Sequence, residues 1–142
     1  MIGGARKRVL SFAAREADIV SISNVAFAER NPDGRTPTEE AAHRSEIVRS
    51  AAGARLADID VESSPYFTAV TDDTTAALDT ISRATTIDVS VLTGHPNVLV
   101  GDVSAIIDTL QQRRTELGIN YVTVQQSQLA EFAPVVSALA NT

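Results

Sequence analysis

The sequence predicts an α/β protein in which about four parallel strands alternate with flanking helices. Short apolar and β-branched runs, such as positions 18–23 and 119–124, alternate with longer segments whose apolar residues recur at helical spacing. Helix start and stop signals fall at the ends of those longer segments. Strands that are separated by helices indicate βαβ units, whose strands lie parallel in one sheet.

The first elements are a helix and a buried strand. Residues 5–17 carry apolar side chains three and four positions apart, which predicts a helix. Residues 18–23 read as a short strand. The sequence NPDG at 31–34 is strong turn chemistry, because Asn, Pro, Asp and Gly each favour a turn conformation.

The middle of the chain begins with a helix that has three start signals. Residues 36–39 read TPTE: a cap residue, a proline in the first turn and a glutamate at the capping-box position. This helix is predicted to run to about Ala54. Residues 59–70 then read as one strand, in which Pro65 indicates an edge, a bulge or the end of the strand.

The last third of the chain is predicted to be mainly helical. Asp72 and Asp73 precede a helix, and a short helical turn at 89–92 leads into a loop at 94–97. Asp102 caps a further helix, which ends at Gly118 as a left-handed C-terminal glycine allows. Residues 119–124 form the last strand, and Ser127 opens a final helix that Pro134 should break or kink.

Composition limits the functional class. The chain has 142 residues, a length typical of one domain over 1–142, with 44% hydrophobic and 21% charged residues. A net charge of −6 argues against a nucleic-acid partner, and the lack of cysteine excludes disulfides and thiolate chemistry. No segment approaches the ~20 apolar residues of a membrane span. The N-terminus also lacks the apolar length of a signal peptide. A reducing cytoplasm fits the lack of cysteine, so we expect a cytoplasmic protein.

The run GGARKR at positions 3–8 breaks a local rule. Three cations stand where the first helix begins, although the helix dipole already places positive charge there. A bound anion would relieve this conflict, because glycines allow close approach and the free N–H groups of the first turn point at the ligand. The alternative is a glycine turn followed by solvated basic residues. The run matches neither a dinucleotide-binding nor a Walker A motif.

The other candidates favour structural roles. His43 lies within a predicted helix among charged neighbours and is expected on the surface, whereas His95 is expected to be a structural loop residue more than a catalytic base. Asp72 and Asp73 are explained by helix capping. Ser63 and Ser64 lack the pattern of a nucleophile elbow, and Tyr66 and Phe67 are more typical of a core than of a pocket. No residues have convincing metal-ligand spacing.

Six segments of the chain together carry a family resemblance. The first two are IGGARKRVL at 2–10 and AAREADIV at 13–20. The others are NPDGR at 31–35, ESSPY at 62–66, HPNVLVG at 95–101 and ELGINYV at 116–122, so the segments extend along essentially the whole chain. They resemble the luciferase-like monooxygenase family, and more narrowly its branch of coenzyme F-420-dependent oxidoreductases. The first two segments are similar to the phosphate-loop segment of that family.

The resemblance implies a fold, a cofactor and a site. The fold would be the carboxyl-terminal half of a (β/α)8 barrel, since complete barrels typically need ~250 residues. The cofactor would be coenzyme F-420, or alternatively FMN, with its phosphate held by Gly3, Gly4, Ala5 and Arg6. The family often has glycine where this chain has Ala5 and Arg6, which leaves the loop geometry open.

Three functional interpretations remain open at this stage. The first is the phosphate-binding half of an oxidoreductase, which acts on a small-molecule substrate in complete family members and turns over poorly or not at all as this chain alone. The second is a non-catalytic half-barrel that self-associates, for instance as a homodimer, or pairs with a partner chain. The third is a small free-standing α/β binding domain.

Overall fold

Six strands and six α-helices make up the fold in the computed structural model, which describes residues 1–140. The strands are β1 (Ile2–Gly3), β2 (Ile19–Ser21), β3 (Asp60–Ser63), β4 (Phe67–Val70), β5 (Val98–Gly101) and β6 (Tyr121–Val122). The helices are α1 (Lys7–Glu16), α2 (Pro37–Ala52), α3 (Thr74–Thr85), α4 (Val89–Leu92), α5 (Val103–Leu117) and α6 (Leu129–Leu139). Two 3-10 turns, Gly53–Asp58 and Gln126–Gln128, follow α2 and precede α6.

Four strands form one parallel sheet in the order β1-β2-β3-β6. All four strands end at the same side of this sheet, which we call the carboxyl edge. The main sheet therefore has the four parallel strands that were predicted, and a second sheet adds two more. Within the described residues, β1 and β6 each pair on one side only, so the sheet has two free edges.

The outer face of this sheet carries the main core. Val20 and Val61, which are neighbours in the register, pack with Leu10 and Ala13 of α1 and with Val48 of α2. Helices α1 and α2 cover the sheet and pack against each other. Burying this apolar surface supplies most of the driving force for folding.

The predicted strand 59–70 is wrong as a single element. The chain leaves the four-stranded sheet after Ser63, passes through Pro65, and begins β4 at Phe67 in a second sheet. Proline has no N–H with which to continue a ladder, which explains a break at this point. The partner of β4 is the parallel strand β5, which sequence reasoning missed within the loop and helix start at 94–102.

The helix ends that were predicted from capping residues are confirmed. The Thr36 side chain and Glu39 form the reciprocal capping box of α2. The carboxylates of Asp73 and Asp102 accept N–H groups at the starts of α3 and α5. Gly118 ends α5 in the left-handed region at φ 69°. Capping hydrogen bonds are local, and this is why the sequence locates these ends well.

The predicted break at Pro134 is wrong. Helix α6 continues through this residue from Leu129 to Leu139, and Pro134 lies on its exposed side. The buried side chains of Phe132 and Val135 hold the helix against the core beside α5. Tertiary packing thus outweighs the loss of one helical hydrogen bond.

None of the helices within residues 1–140 combines the length and the apolar character that a membrane crossing requires.

A buried arginine joins α2 to the end of β2. Arg44 is 4% exposed, and its Nη1 donates hydrogen bonds to Ser23 O at 2.6 Å and to Ile22 O at 3.4 Å. Its Nε donates to Glu40 Oε1 at 2.9 Å, which neutralises the buried charge. The Arg44 side chain therefore holds the backbone just beyond β2 through these two hydrogen bonds.

We predict that Arg44→Met destabilises the fold by about 3 kcal/mol, because it removes the cation of a buried pair and leaves two buried carbonyls without a donor. Arg49→Met on the same helix is the matched control, since the Arg49–Glu46 pair is exposed; it should change the free energy of unfolding by less than about 0.5 kcal/mol. Urea unfolding measures both values. Equal losses in the two variants would contradict the structural role of Arg44.

Candidate functional site

In the turn between β1 and α1, two glycines lie close to neighbouring side chains. A Cβ on Gly3 would lie 2.9 Å from Ser21 Cβ, and a Cβ on Gly4 would lie 2.7 Å from Val9 Cγ1. Among the described residues, positive φ angles occur at neither glycine and not at Ala5. The glycines are therefore needed for space rather than for a left-handed backbone, and Ala5 is compatible with the turn.

Four consecutive backbone N–H groups at this turn have no acceptor within the described residues. They belong to Ala5, Arg6, Lys7 and Arg8. Helical bonding resumes only at Val9 and Leu10, whose N–H groups both donate to Arg6 O at 3.0 Å. Arg6 is the N-cap residue, and its side chain makes no capping hydrogen bond. The start of α1 thus presents a row of free donors, as anion sites at helix N-termini do.

The charge at this helix start is also uncompensated. The first turn of α1 holds no acidic residue, and Arg6, Lys7 and Arg8 are exposed. None of these three cations forms an ion pair within residues 1–140. Their charges add to the positive end of the helix dipole, so an anion in this place would be stabilised by both.

Ala5 also borders a cavity of about 230 Å³ at the carboxyl edge, which we call the edge cavity. Its opposite wall comes from the loop after β2 and from α2, including Asn31, Arg35, Glu40 and Arg44. Glu40 is buried and joins the other three: it accepts from Asn31 Nδ2 at 2.9 Å and lies 3.5 Å from Arg35 and 2.9 Å from Arg44. This network gives the wall a fixed shape.

The predicted turn at 31–34 is confirmed and shapes the same loop. Gly34 N–H donates to Asn31 O at 2.9 Å, and Gly34 has φ 81°. The Asn31 side chain accepts from the N–H groups of Asp33 and Arg35. Arg35 is thereby directed toward the edge cavity.

Asn24 adds a strained backbone to the cavity wall. It has φ 66°, a conformation that few residues other than glycine adopt, and its side chain accepts a hydrogen bond from the hydroxyl of Tyr66. Strain of this kind is often found at functional sites. The expected core position is wrong for Tyr66, which lies just before β4 and is 48% exposed, whereas Phe67 packs beside the core around Leu78 as expected.

His95 is a structural residue, as predicted. Its ring is 1% exposed, stacks on Phe27 at 4.1 Å between centroids, and uses both nitrogens: Nε2 lies 3.1 Å from Ala26 O, and Nδ1 accepts from the N–H of Asn97 at 3.0 Å. Nε2 therefore carries the proton in the neutral ring. Burial is the main cause that lowers the pKa of His95, while the hydrogen bond to Ala26 raises it and the charge of Arg113 lowers it further.

The remaining candidates have structural explanations. His43 is exposed on α2, and Asp73 is a helix cap. The N–H of Ser64 donates to Ser23 Oγ at 2.7 Å, which links the ends of β2 and β3. Within residues 1–140, no group of three or more His, Asp or Glu side chains is placed to hold a metal ion.

Sequence reasoning missed Asn24, Arg35 and Arg44 as neighbours of the predicted site. One signal was available for Arg44, because it lies three residues from both Ala41 and Ile47 and so falls on the apolar side of α2. Arg35 belongs to a turn that was predicted, but nothing in the sequence places that turn beside Ala5.

Comparison with known proteins supports the fold. No family model matches the chain, and no curated protein matches it. The chain is similar to a solved structure, the monooxygenase RslO1 from Streptomyces bottropensis, with a TM-score of 0.51 and 18% sequence identity. The similarity covers 87% of this chain and 39% of that chain.

At this level of identity the likeness establishes the fold alone. The chain has a monooxygenase-like α/β fold, with four parallel strands and flanking helices that form the carboxyl-terminal half of a (β/α)8 barrel. The predicted fold class is thus confirmed. The matched part of the chain spans about two fifths of the length of that structure.

We predict that stability falls as the pH drops below about 6.5, the ordinary pKa of histidine. Since the folded pKa of His95 is lowered, the unfolded chain binds a proton first, and stability is lost as the pH falls toward the folded pKa. His95→Gln should lose less stability between pH 7.5 and pH 5.5 than the wild type. The exposed control His43→Gln should retain the wild-type loss. Urea titrations at the two pH values check this, and identical losses in all three proteins would contradict it.

Proposed function

We propose that this chain is the cofactor-phosphate-binding half of a luciferase-like oxidoreductase that uses coenzyme F-420, with FMN as the alternative. The phosphate site consists of Gly3, Gly4, Ala5 and Arg6, extended by the N–H groups of Lys7 and Arg8. The small-molecule substrate is the one on which the complete enzyme acts. This function agrees with the monooxygenase-like fold and with the segments that resemble the F-420-dependent branch.

The observation that carries the proposal is the row of four free N–H groups that follows two close-packed glycines. A phosphate monoester or diester fits this place, because its oxygens accept several N–H donors at once and its charge balances the exposed cations. The site lies at the carboxyl edge of a parallel sheet, where (β/α)8 proteins bind their ligands.

The cofactor would supply hydride exchange when bound. The residues of this chain would hold its phosphate, orient it through the start of α1, and leave the inner face of the sheet for the rest of the molecule. Among the residues described, the buried carboxylate nearest the turn, Glu40, is held in ion pairs with Arg35 and Arg44, and His95 is committed to structural hydrogen bonds. The chain alone is therefore expected to turn over poorly or not at all.

The two free edges of the sheet favour a second candidate function, a non-catalytic half-barrel that associates with a second copy of itself. On one side, the free edge of β1 lies next to α1, which carries Phe12 at 51% exposure. On the other, the free edge of β6 is flanked by Val136 of α6, which is 57% exposed and borders a groove of about 650 Å³. A second copy of the chain would cover both edges and both helices, and two copies of four strands would close a ring of eight.

We predict that Lys7→Pro weakens binding of FMN about tenfold, because proline removes one free N–H from the row. The helix should tolerate this change: Lys7 is its first residue, where proline is favoured, and Arg6 already has the extended backbone that precedes proline. Fluorescence titration of FMN, and separately of coenzyme F-420, measures the effect.

Lys7→Ala is the matched control, because it removes the side-chain charge and keeps the N–H. We expect it to weaken binding less than Lys7→Pro. Riboflavin, which lacks the phosphate, should bind the wild type and Lys7→Pro equally. If Lys7→Pro binds FMN as tightly as the wild type, the phosphate does not sit at the start of α1.

We predict that a self-associated form has twice the chain mass of 15.1 kDa in light scattering after gel filtration. Phe12→Glu should convert it to the monomer, because it places a charge in the contact between α1 and α6 of the second copy. Ala42→Glu, at an exposed position of α2, is the control and should leave the mass unchanged. A wild-type monomer at all concentrations would exclude pairing with a second copy.

A further inference from the structure

The inner face of the four-stranded sheet carries a row of non-aliphatic residues near the carboxyl edge. In each strand, successive side chains alternate between the two faces, and residues paired in the register share a face. Because Val20 and Val61 face the helices, the next residues of their strands, Ser21 and Glu62, face inward. The same register adds Gly3 and Tyr121. We call these four residues, Gly3, Ser21, Glu62 and Tyr121, the inner row.

This composition differs from that of a packed barrel interior. In (β/α)8 barrels the inward positions are mostly filled by Val, Ile and Leu, which form a dry core. Here the row contains a glycine, a hydroxyl, a carboxylate and a phenol. The close contact between a Cβ on Gly3 and Ser21 Cβ independently shows that these two positions face the same side. The row is therefore suited to a polar ligand rather than to a core.

Glu62 is the unusual member of the inner row. It is 3% exposed, yet its carboxylate forms no hydrogen bond or ion pair within residues 1–140. The described part of the chain has two fully enclosed side-chain polar atoms without a partner, Thr68 Oγ1 and Arg113 Nη1. Since the oxygens of Glu62 are not among them, these oxygens keep a small contact with solvent.

An unpaired carboxylate at this depth costs stability. Burying a charged group without a partner is unfavourable, and native structures rarely leave such a group unsatisfied without a reason. A ligand that pairs with such a group when it binds is one physical reason for leaving it unpaired. The opening of its oxygens toward the inner face gives the direction from which a partner would come.

We infer that Glu62 contacts the ligand, its carboxylate accepting a hydrogen bond from an N–H or hydroxyl group of the part of the cofactor that lies beyond the phosphate. This inference rests on the proposed function. Glu62 lies two strands from Gly3, a separation of roughly 9–10 Å. A cofactor whose phosphate lies at the start of α1, and whose sugar-like chain or ring crosses β2, would span that distance. Ser21, between the two, offers a hydroxyl along the way.

The test compares the binding of FMN with the stability of the same variants. Glu62→Gln keeps the size of the side chain and removes its charge, so it should raise the Kd for FMN about tenfold. Its urea midpoint should equal or exceed that of the wild type, because an unpaired buried charge is lost. Glu16→Gln, at an exposed position of α1, is the control and should change neither value.

Each outcome decides between the two claims. If the wild type binds neither FMN nor coenzyme F-420, both the proposed function and the role of Glu62 are overturned. If the wild type binds, Lys7→Pro weakens binding and Glu62→Gln does not, the phosphate site stands and the Glu62 contact is refuted. A lower urea midpoint in Glu62→Gln together with an unchanged Kd would show that Glu62 is structural.

Discussion

The carboxyl edge of the sheet depends on the buried guanidinium of Arg44. Strand β2 pairs with both β1 and β3, so the position of its end determines where the neighbouring ends lie. Arg44 reaches from α2 to the carbonyls of Ile22 and Ser23 and fixes that end. Its charge is balanced by Glu40, which in turn holds Asn31 and Arg35 of the following loop. One buried cation thus organises both a strand end and the wall of the edge cavity.

The two faces of the sheet differ in composition and in what they contribute to the fold. The outer face is apolar and buries Val20 and Val61 against α1 and α2, which stabilises the fold. The inner face carries the polar inner row, and within the described residues its positions add little to the apolar core. A closed core on both faces would be more stable, but it would leave no surface for a ligand. The division explains how four strands with two free edges still form an ordered structure.

The second sheet positions a loop that contacts the segment after β2. Strands β4 and β5 pair with each other, and the loop before β5 reaches back to the segment after β2. Asn97 Nδ2 donates to Val25 O at 3.0 Å, and His95 contacts Ala26 and stacks on Phe27. The segment after β2, which lines the edge cavity, is therefore held both by Arg44 of α2 and by the loop before β5. A neutral, buried histidine serves this purpose because it offers one donor and one acceptor.

The sequence by itself determined most of the helices, their alternation with parallel strands, and the position of Gly3–Arg6 at the start of the first helix. Caps, turn residues and apolar periodicity act over a few residues, so they can be read without the fold. The tertiary structure alone decided that residues 59–70 divide between two sheets, that α6 continues through Pro134, and that Glu62 is buried without a partner. It also brought Asn24 and Arg35 next to Ala5. These features depend on contacts between residues far apart in the chain, and local patterns carry no information about which distant surfaces will meet.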